Sequence, residues 1–591
     1  MRINSRLPTP NSQSASPLWG PPLGGPARRA QAGLYGCVVV ASVCLGSFAL
    51  ATTGPDVQFT DVTDAVGLTF KHENSATPSK YLVETMGGGV ALFDFDNDDR
   101  LDIFFTNGAR IQEAMPPGSA PDKLDPAYWN RLYRQTDTGT FVDVTERAGV
   151  SGTPQNRYGM GAAVGDIDND GFADLYVSNY GGNSLYRNNG DGTFSDVNER
   201  AGVAASGWSA SAGFFDYDND GRLDLWVTRY LEWSFDQNRY CGEKRPGFRA
   251  YCHPDNFEPF TNVLFRNNGD GTFTDVSTKA GLGASPGKGL GVAFADYDAD
   301  GDTDVYVAND SVQCFLFQNN GDGTFSEVGL LAGVGFNEDG KTFAGMGVDF
   351  ADYDNDGHPD VFVTDLSNER YMLFRQSGDG TFREVTNPTG IGGATLPFSG
   401  WSTRFVDYDN DGWKDIFVAQ GHVMDTIEKT SPNLRYMQPP LLLRNESGRF
   451  VRVTPGDVFQ RHWAGRGAAF GDIDNDGDID AVVSNVGQRA VVLRNDGGNG
   501  RNWIGLQAIG SKSNRDGIGA RVRVSSKSGP AQSITITTAV GYLSASDKRL
   551  VIGLGSQGSA DAVEIRWPSG IVQKFDNVKA GVVLRANEPS S

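Results

Sequence analysis

Apolar residues along this chain fall in short runs such as Leu175-Tyr-Val177 and Val361-Phe-Val363, punctuated by Gly, Asn and Asp. No long segment carries a helical period, so the pattern predicts many short strands joined by turns. Two phrases alternate between the runs. The first, Asp-x-Asp-x-Asp-Gly-x-x-Asp, begins at Asp94, Asp166, Asp216, Asp296, Asp352, Asp407 and Asp472 and leads straight into an apolar run each time. The second reads Leu185-Tyr-Arg-Asn-Asn-Gly-Asp-Gly-Thr-Phe-Ser-Asp-Val197 and returns from Leu264, Leu316 and Leu373, with looser copies from Leu132 and Leu442. Its Asn-Gly-Asp-Gly core is a hairpin turn, because these residues accept positive φ. Each unit therefore predicts strand, aspartate loop, strand, connection, strand, Gly turn, strand.

Successive first aspartates lie 72, 50, 80, 56, 55 and 65 residues apart, and the smallest unit has the length of a four-stranded blade. Seven such units on a ring predict an all-β fold, a seven-bladed β-propeller over residues 55–500. The chain opens this region with Phe59-Thr-Asp-Val62, a fourth strand without its first three, and the last unit ends at Val491-Val-Leu-Arg-Asn495. Strands from both ends are thus expected to fasten the seventh blade. Extra residues fall between the second and third strands of units one, three and six, at 111–130, 231–262 and 421–440. In a meander that connection lies at the opposite end of the blade from the aspartate loop, so insertions gather on one face and the loops on the other. Insertions confined to one face of a repeat protein often mark its binding face. Beyond Arg501 the repeat stops. Trp503-Ile-Gly-Leu506, Ala520-Arg-Val-Arg-Val524, Ile534-Thr-Ile536, Leu550-Val-Ile-Gly-Leu554 and Ala562-Val-Glu-Ile-Arg-Trp567 predict a separate small β domain over 501–586.

The aspartate phrase also carries chemistry. A hard cation such as calcium takes six to eight oxygen ligands, and carboxylates on alternate residues of a tight loop converge on one point. The expected ligands are Asp94, Asp96, Asp98 and Asp102; Asp166, Asp168, Asp170 and Asp174; Asp216, Asp218, Asp220 and Asp224; and Asp296, Asp298, Asp300 and Asp304. The later units supply Asp352, Asp354, Asp356 and Asp360; Asp407, Asp409, Asp411 and Asp415; and Asp472, Asp474, Asp476 and Asp480. The seventh residue adds its carbonyl, and Gly at the sixth permits the turn. Only the first copy departs, with Asp99 in that slot. An EF-hand is excluded, since position twelve is Phe105 or Val rather than Glu. Up to seven Ca²⁺ ions are expected.

Charge fits this reading. The formal net charge is -22, and 28 of the 73 acidic residues stand at ligand positions. A chain beginning at Thr52 would carry -26, which seven Ca²⁺ would reduce to -12. Nucleic acid is excluded as a natural partner by this balance. Residues 1–51 hold four Arg and no acid, with an apolar run from Leu34 that closes on Ala49-Leu50-Ala51. They read as a signal peptide or, if uncleaved, an N-terminal membrane anchor. The body is expected to be secreted, periplasmic or on the cell surface. Cys241 and Cys252 then read as a disulfide of an oxidising compartment, with Cys314 a buried thiol.

The aspartate loops and Gly-Asp-Gly-Thr-Phe hairpins resemble the FG-GAP or VCBS repeats of integrin-α-like propellers. The tail resembles an ASPIC/UnbV domain in Asn514-Arg-Asp-Gly-Ile-Gly-Ala-Arg-Val522, Gly541-Tyr-Leu-Ser544, Ser546-Asp-Lys-Arg-Leu550, Gly553-Leu-Gly555 and Val563-Glu-Ile-Arg-Trp-Pro-Ser-Gly570. Together they are similar to the cartilage acidic protein 1 family, with Thr538-Ala-Val540 less polar than that pattern. The resemblance implies an exported calcium-binding module for adhesion or recognition, its insertion face meeting an extracellular protein or polysaccharide.

Other candidates are the polar residues that end the second strands, Asn107, Asn179, Arg229, Asn309, Asp365, Gln420 and Asn485, with Asp310 and His422 nearby. They are expected to surround the channel mouth, either as a ligand ring or bonded to neighbouring blades. Trp233, Phe235, Tyr240, Phe248, Tyr251 and Phe257 of the third insertion read first as an apolar cluster under a long loop. No catalytic residues are assigned: His-Glu-x-x-His, Gly-x-Ser-x-Gly and the phosphate-binding Gly loop are absent, and the five His show no ligand spacing. The alternative is a secreted glycan hydrolase or lyase with its site in the channel around His422, Arg229 and Asp365.

Overall fold

The computed structural model describes residues 57–153 and 157–590. The expected leader, 1–51, lies outside the described residues, and among these no helix is long and apolar enough to cross a membrane.

Seven antiparallel sheets follow one plan. In the second unit Tyr158–Gly165, Asp174–Tyr180, Ser184–Asn188 and Phe194–Asp196 pair in chain order. Leu175 and Val177 pack toward the first unit and Tyr176 toward the third. Successive strand residues point to opposite faces, so an unbroken apolar run is buried on both sides. Every seam between neighbouring units holds its own apolar cluster, including the seam between the seventh and the first, where Val482 and Val492 pack with Ile103 and Phe105. Innermost strands meet in the same cyclic order, with Gly465–Gly471 against Val90–Phe93 closing the circle. The fold is a seven-bladed β-propeller. Gln58–Asp61 pairs with Val491–Asp496 and completes the seventh blade from the other end of the chain.

The C-terminal segment is tied to the ring more closely than a separate domain would be. It has its own core around Val522, Val563, Ile565 and Trp567, between sheets of three and four strands. The hairpin of Ala539–Val540 and Ser544–Ala545, however, leaves that core and enters the channel. Ala545 lies beside Ala91 in parallel pairing with the first blade. Gly541 exchanges hydrogen bonds of 2.8 and 3.2 Å with Val348 of the fifth. Leu543 accepts from Ala162 N–H of the second blade at 3.1 Å and donates to Ser211 Oγ of the third at 2.9 Å. Ser402 of the sixth accepts the Tyr542 N–H at 3.3 Å, and Phe470 N–H of the seventh donates to Ser546 Oγ at 3.1 Å.

The physical reason is the exposed edge of each innermost strand, whose backbone groups need partners. The hairpin supplies them, and Tyr542 and Leu543 are fully buried where the blades converge. This placement explains the low polarity of Thr538-Ala-Val540, since Ala539 packs into the seam between the third and fourth blades. Crowding also dictates glycine on the inner strands. A Cβ on Gly89 would lie 2.5 Å from the carbonyls of Leu543 and Met160, and one on Gly347 would lie 2.0 Å from that of Trp401.

The three insertions meet over the opposite mouth. Gly118 N–H donates to Asp236 at 3.1 Å, and Lys429 Nζ reaches the Gly247 carbonyl at 2.6 Å. Beneath them Ile111, Met115, Trp233, Phe235 and Tyr251 form one apolar cluster that extends down to Tyr542. The third-insertion aromatics are thus mainly core, as expected. Cys241 and Cys252 form the disulfide, with Cα atoms 5.2 Å apart, and Cys314 is a buried thiol.

Tyr542 joins the channel to this cap, its hydroxyl donating to the Met86 carbonyl at 2.7 Å. Tyr542→Ala is expected to cost about 3–5 kcal/mol, the range for emptying a buried aromatic site. Denaturant unfolding measures this, and an unchanged midpoint would show that the hairpin does not hold the ring.

Candidate metal centre

Each aspartate loop is built by its own carboxylates. In the second blade Asp166 accepts from the N–H groups of Asp170 and Gly171 at 3.1 and 2.7 Å, and Asp170 accepts from Phe172 N–H at 2.9 Å. Asp174 accepts from Ile167 N–H at 2.9 Å and from Asn188 N–H, on the third strand, at 2.7 Å. The ninth aspartate therefore clasps the start of the loop to the next hairpin. Asp102, Asp224, Asp304, Asp360, Asp415 and Asp480 make the same pair of bonds. Gly171 takes φ 93°, and Asp99 adopts φ 65° in the same slot.

Two recurring side chains complete the loops, and sequence reasoning did not assign them. The arginine of the hairpin phrase holds the outer oxygens of the third and fifth aspartates. Arg187 donates to Asp168 at 2.6 Å and Asp170 at 2.7 Å, and Arg134, Arg266 and Arg375 do the same in the first, third and fifth blades. Gln318 substitutes in the fourth blade and Arg501 in the sixth. The second recurring group is the asparagine at position four. Its amide reaches the position-six carbonyl of the next loop: Asn97 to Gly171 at 2.9 Å, Asn169 to Gly221 at 3.0 Å, Asn219 to Gly301 at 3.4 Å, Asn355 to Gly412 at 3.1 Å and Asn410 to Gly477 at 2.9 Å. Asn475 closes the circuit on Asp99 at 3.1 Å. The fourth copy has Ala299 at this position, so that one link is missing. The Asn in six of seven copies and the Arg of Leu-Tyr-Arg-Asn were the available signals.

Inner carboxylate oxygens are left over. Asp96 Oδ1, Asp218 Oδ1, Asp354 Oδ1 and Asp409 Oδ1 are buried without a hydrogen-bond partner. In at least five loops, oxygens from three aspartates lie within 4.8 Å of one another, as in the sets Asp94, Asp96, Asp102 and Asp352, Asp354, Asp356. A buried unpaired carboxylate is costly unless a cation neutralises it. An all-oxygen acidic set suits a hard divalent ion, so the residues fit calcium. Burial first, then loop hydrogen bonds and neighbouring carboxylates, set the first aspartate: Asp94 is raised to about 6, and Asp216, Asp352 and Asp472 to about 7.

The FG-GAP-like repeat profile matches residues 94–177, 166–227, 258–307, 296–363 and 352–418, and the ASPIC and UnbV profile matches residues 510–591. This chain is an FG-GAP repeat protein with a C-terminal ASPIC and UnbV domain. It is similar to cartilage acidic protein 1 of Mus musculus, at 24% identity over 87% of this chain and 74% of that protein. For the Homo sapiens protein of that name the identity is 27%, over 45% of this chain and 39% of the relative's length. Among solved structures, an Agrocybe aegerita lectin described for recognition of non-reducing terminal N-acetylglucosamine aligns at 19% identity with a TM-score of 0.35, covering 63% of this chain and 81% of that one.

The ASPIC and UnbV domain of this FG-GAP protein covers the aspartate-loop face. Arg515 N–H donates to Asn169 Oδ1 at 2.7 Å, Arg549 to Asn475 Oδ1 at 3.1 Å, Arg521 to Asp296 at 2.9 Å and Arg585 to Asp99 at 2.7 Å.

The polar second-strand ends bond within their own blades, except Gln420, which reaches Tyr371 of the neighbouring fifth blade. Asn107 donates to the carbonyls of Ala127 and Trp129, Asn179 to Val177, Asn309 to Gln313 and Asn485 to Arg489. Asp365 accepts from Ala344 and Leu366, Gln420 donates to the Tyr371 hydroxyl, and Arg229 donates to the Ser206 carbonyl over the Phe260 ring. His422 Nδ1 accepts from Met424 N–H, and burial and then Arg466 lower its pKa to about 4. Among the described residues no bond joins His422, Arg229 and Asp365, and the channel beside them holds the Tyr542 hairpin.

Calcium and protons should compete for these loops. A carboxyl with a raised folded-state value binds more protons when folded. The metal-free protein should therefore lose stability as pH rises from about 4 to about 7. Calcium requires the ionised form, so its contribution grows over the same window. Melting in chelator is expected to fall between about pH 5 and pH 7.5, and the gain on adding calcium to be larger at the higher pH. A metal-free melt that rises with pH contradicts this assignment. Asn410→Ala, which unpairs the buried carbonyls of Gly477 and Gly498, is expected to cost about 1–3 kcal/mol in calcium. Equilibrium unfolding checks it.

Proposed function

We propose that this FG-GAP protein is an exported calcium-binding propeller that serves as an adhesion or recognition module for a protein or polysaccharide, with calcium in a structural role. The observation that carries the recognition reading is the disulfide-closed loop of the third insertion. Cys241–Gly242 pairs with Arg249–Ala250, and the loop carries Lys244, Arg245 and Arg249, with Arg239 just before it, on a chain of net charge -22. Arg245 lies over Phe248 at 3.4 Å, and Tyr240 is 46% exposed. Cationic groups stacked on aromatic rings keep both exposed and ordered, and Tyr and Arg are the residue types favoured at binding hot spots.

The ASPIC and UnbV domain occupies the loop face, which leaves the insertion face for a partner. The disulfide suits an oxidising compartment, and the similarity to cartilage acidic protein 1 supports an extracellular location. Calcium in this reading holds the loops rather than the ligand, since it serves all blades alike.

The test is binding of the calcium-loaded protein to an array of extracellular matrix proteins and polysaccharides. A retained partner is expected to bind roughly tenfold more weakly to the double variant Lys244→Glu, Arg245→Glu, whose melting temperature should not change. No retained partner, or equal binding by the variant, removes the reading.

A further inference from the structure

The asparagine circuit is interrupted at one seam of the ring. At the other six seams a position-four amide donates to the next loop's position-six carbonyl. At the fourth seam Ala299 has no amide, and the Gly357 carbonyl accepts no hydrogen bond from a neighbouring loop. A cleft of about 370 Å³ opens there between the fourth and fifth aspartate loops and the outer face of the C-terminal sheet. Clefts of this size, about 300–1,000 Å³, hold small ligands.

The sheet wall of the cleft has a definite chemistry. Arg521 pairs across the strands with Arg566, and Arg523 with Glu564, so all four side chains share one face. Arg521 is spent on Asp296. Arg523 and Arg566 are exposed and make no ion pair or hydrogen bond, although the chain carries 73 acidic residues against 51 basic ones. Two free guanidiniums on one wall suit a planar carboxylate, which accepts paired N–H donors. Around them stand Gln532, able to donate, and Glu564, able to accept, while Asp300 and Asp356 on the loop side belong to the calcium loops, and no aromatic side chain lines the cleft. Donors and acceptors without an apolar floor suit a ligand rich in hydroxyl groups.

We propose that this cleft binds an acidic oligosaccharide, its ring carboxylate on Arg523 and Arg566 and a hydroxyl donating to the Gly357 carbonyl that no asparagine reaches. The ligand spans the seam that lacks the asparagine link and touches both the propeller and the ASPIC and UnbV domain. This deepens the recognition reading by naming a ligand class, but the site lies on the face opposite the insertions and is independent of the disulfide loop.

Calorimetric titration of the full protein in calcium uses three probes: a hyaluronan tetrasaccharide, the uncharged chitotetraose and free glucuronate. The acidic tetrasaccharide is expected to bind, with chitotetraose and glucuronate each at least about tenfold weaker. Arg523→Gln with Arg566→Gln should weaken the tetrasaccharide about tenfold at an unchanged melting temperature, because both side chains are solvent-facing. Ala299→Asn places an amide where six other loops have one, and should both weaken binding and raise the melting temperature. Lys244→Glu with Arg245→Glu should leave tetrasaccharide binding unchanged, which separates this site from the insertion face. No binding of the acidic tetrasaccharide, equal binding of the uncharged one, or full binding by the double arginine variant overturns the proposal.

Discussion

Mutual repulsion among carboxylates is the constraint on which the rest of this structure depends. The seven loops bring 28 aspartates to one face of a ring, and several of their inner oxygens are buried with no donor in reach. The fold answers this from three directions. Backbone N–H groups inside each loop bond the first, fifth and ninth aspartates. Hairpin arginines hold the outer oxygens of the third and fifth. The C-terminal domain then brings Arg515, Arg521, Arg549 and Arg585 down onto the same face. What remains is a set of inward-facing oxygens whose natural complement is a divalent cation.

The ring is held in two ways that act at different radii. Near the axis, the Tyr542 hairpin gives the innermost strands a common partner, so the blades are fixed to one another through an element from the end of the chain. Further out, apolar clusters fill every seam. On the loop face, asparagine amides run from one loop to the next. Each of these is cooperative around the ring, because a blade that shifted would break bonds to two neighbours and to the hairpin together. The fourth seam is the exception on the loop side, and Arg521 of the tail reaches Asp296 there instead.

These arrangements divide the molecule's two faces by task. The aspartate face is mostly occupied by structure, namely loops, arginines and the C-terminal domain, with a cleft left at the fourth seam. The insertion face is closed over the channel by an apolar cluster, yet its outermost loop is cross-linked, basic and aromatic. The Tyr542 hairpin fills the channel beneath this cluster.

How much of this was legible in the sequence follows from what is local and what is not. The loop aspartates, the blade count, the closing strand at Phe59 and the shared face of the insertions were all legible, because each rests on spacing within one repeat or on comparison between repeats. The Cys241–Cys252 bridge was legible from proximity within one loop. The asparagine circuit and the arginine clasps were printed in the repeats but had no assignable role, since their partners lie in the next blade or across a hairpin. The hairpin at Tyr542 was not legible as a plug at all. Its apolar character looked only like a departure from a family pattern, and its partners are scattered over blades whose sequence positions range from Ala91 to Phe470. Periodicity determines the blade by itself, because strand pairing and loop chemistry are short-range. Only the tertiary structure decides what fills the axis and which face is left open, because those depend on where a closed ring leaves unpaired edges.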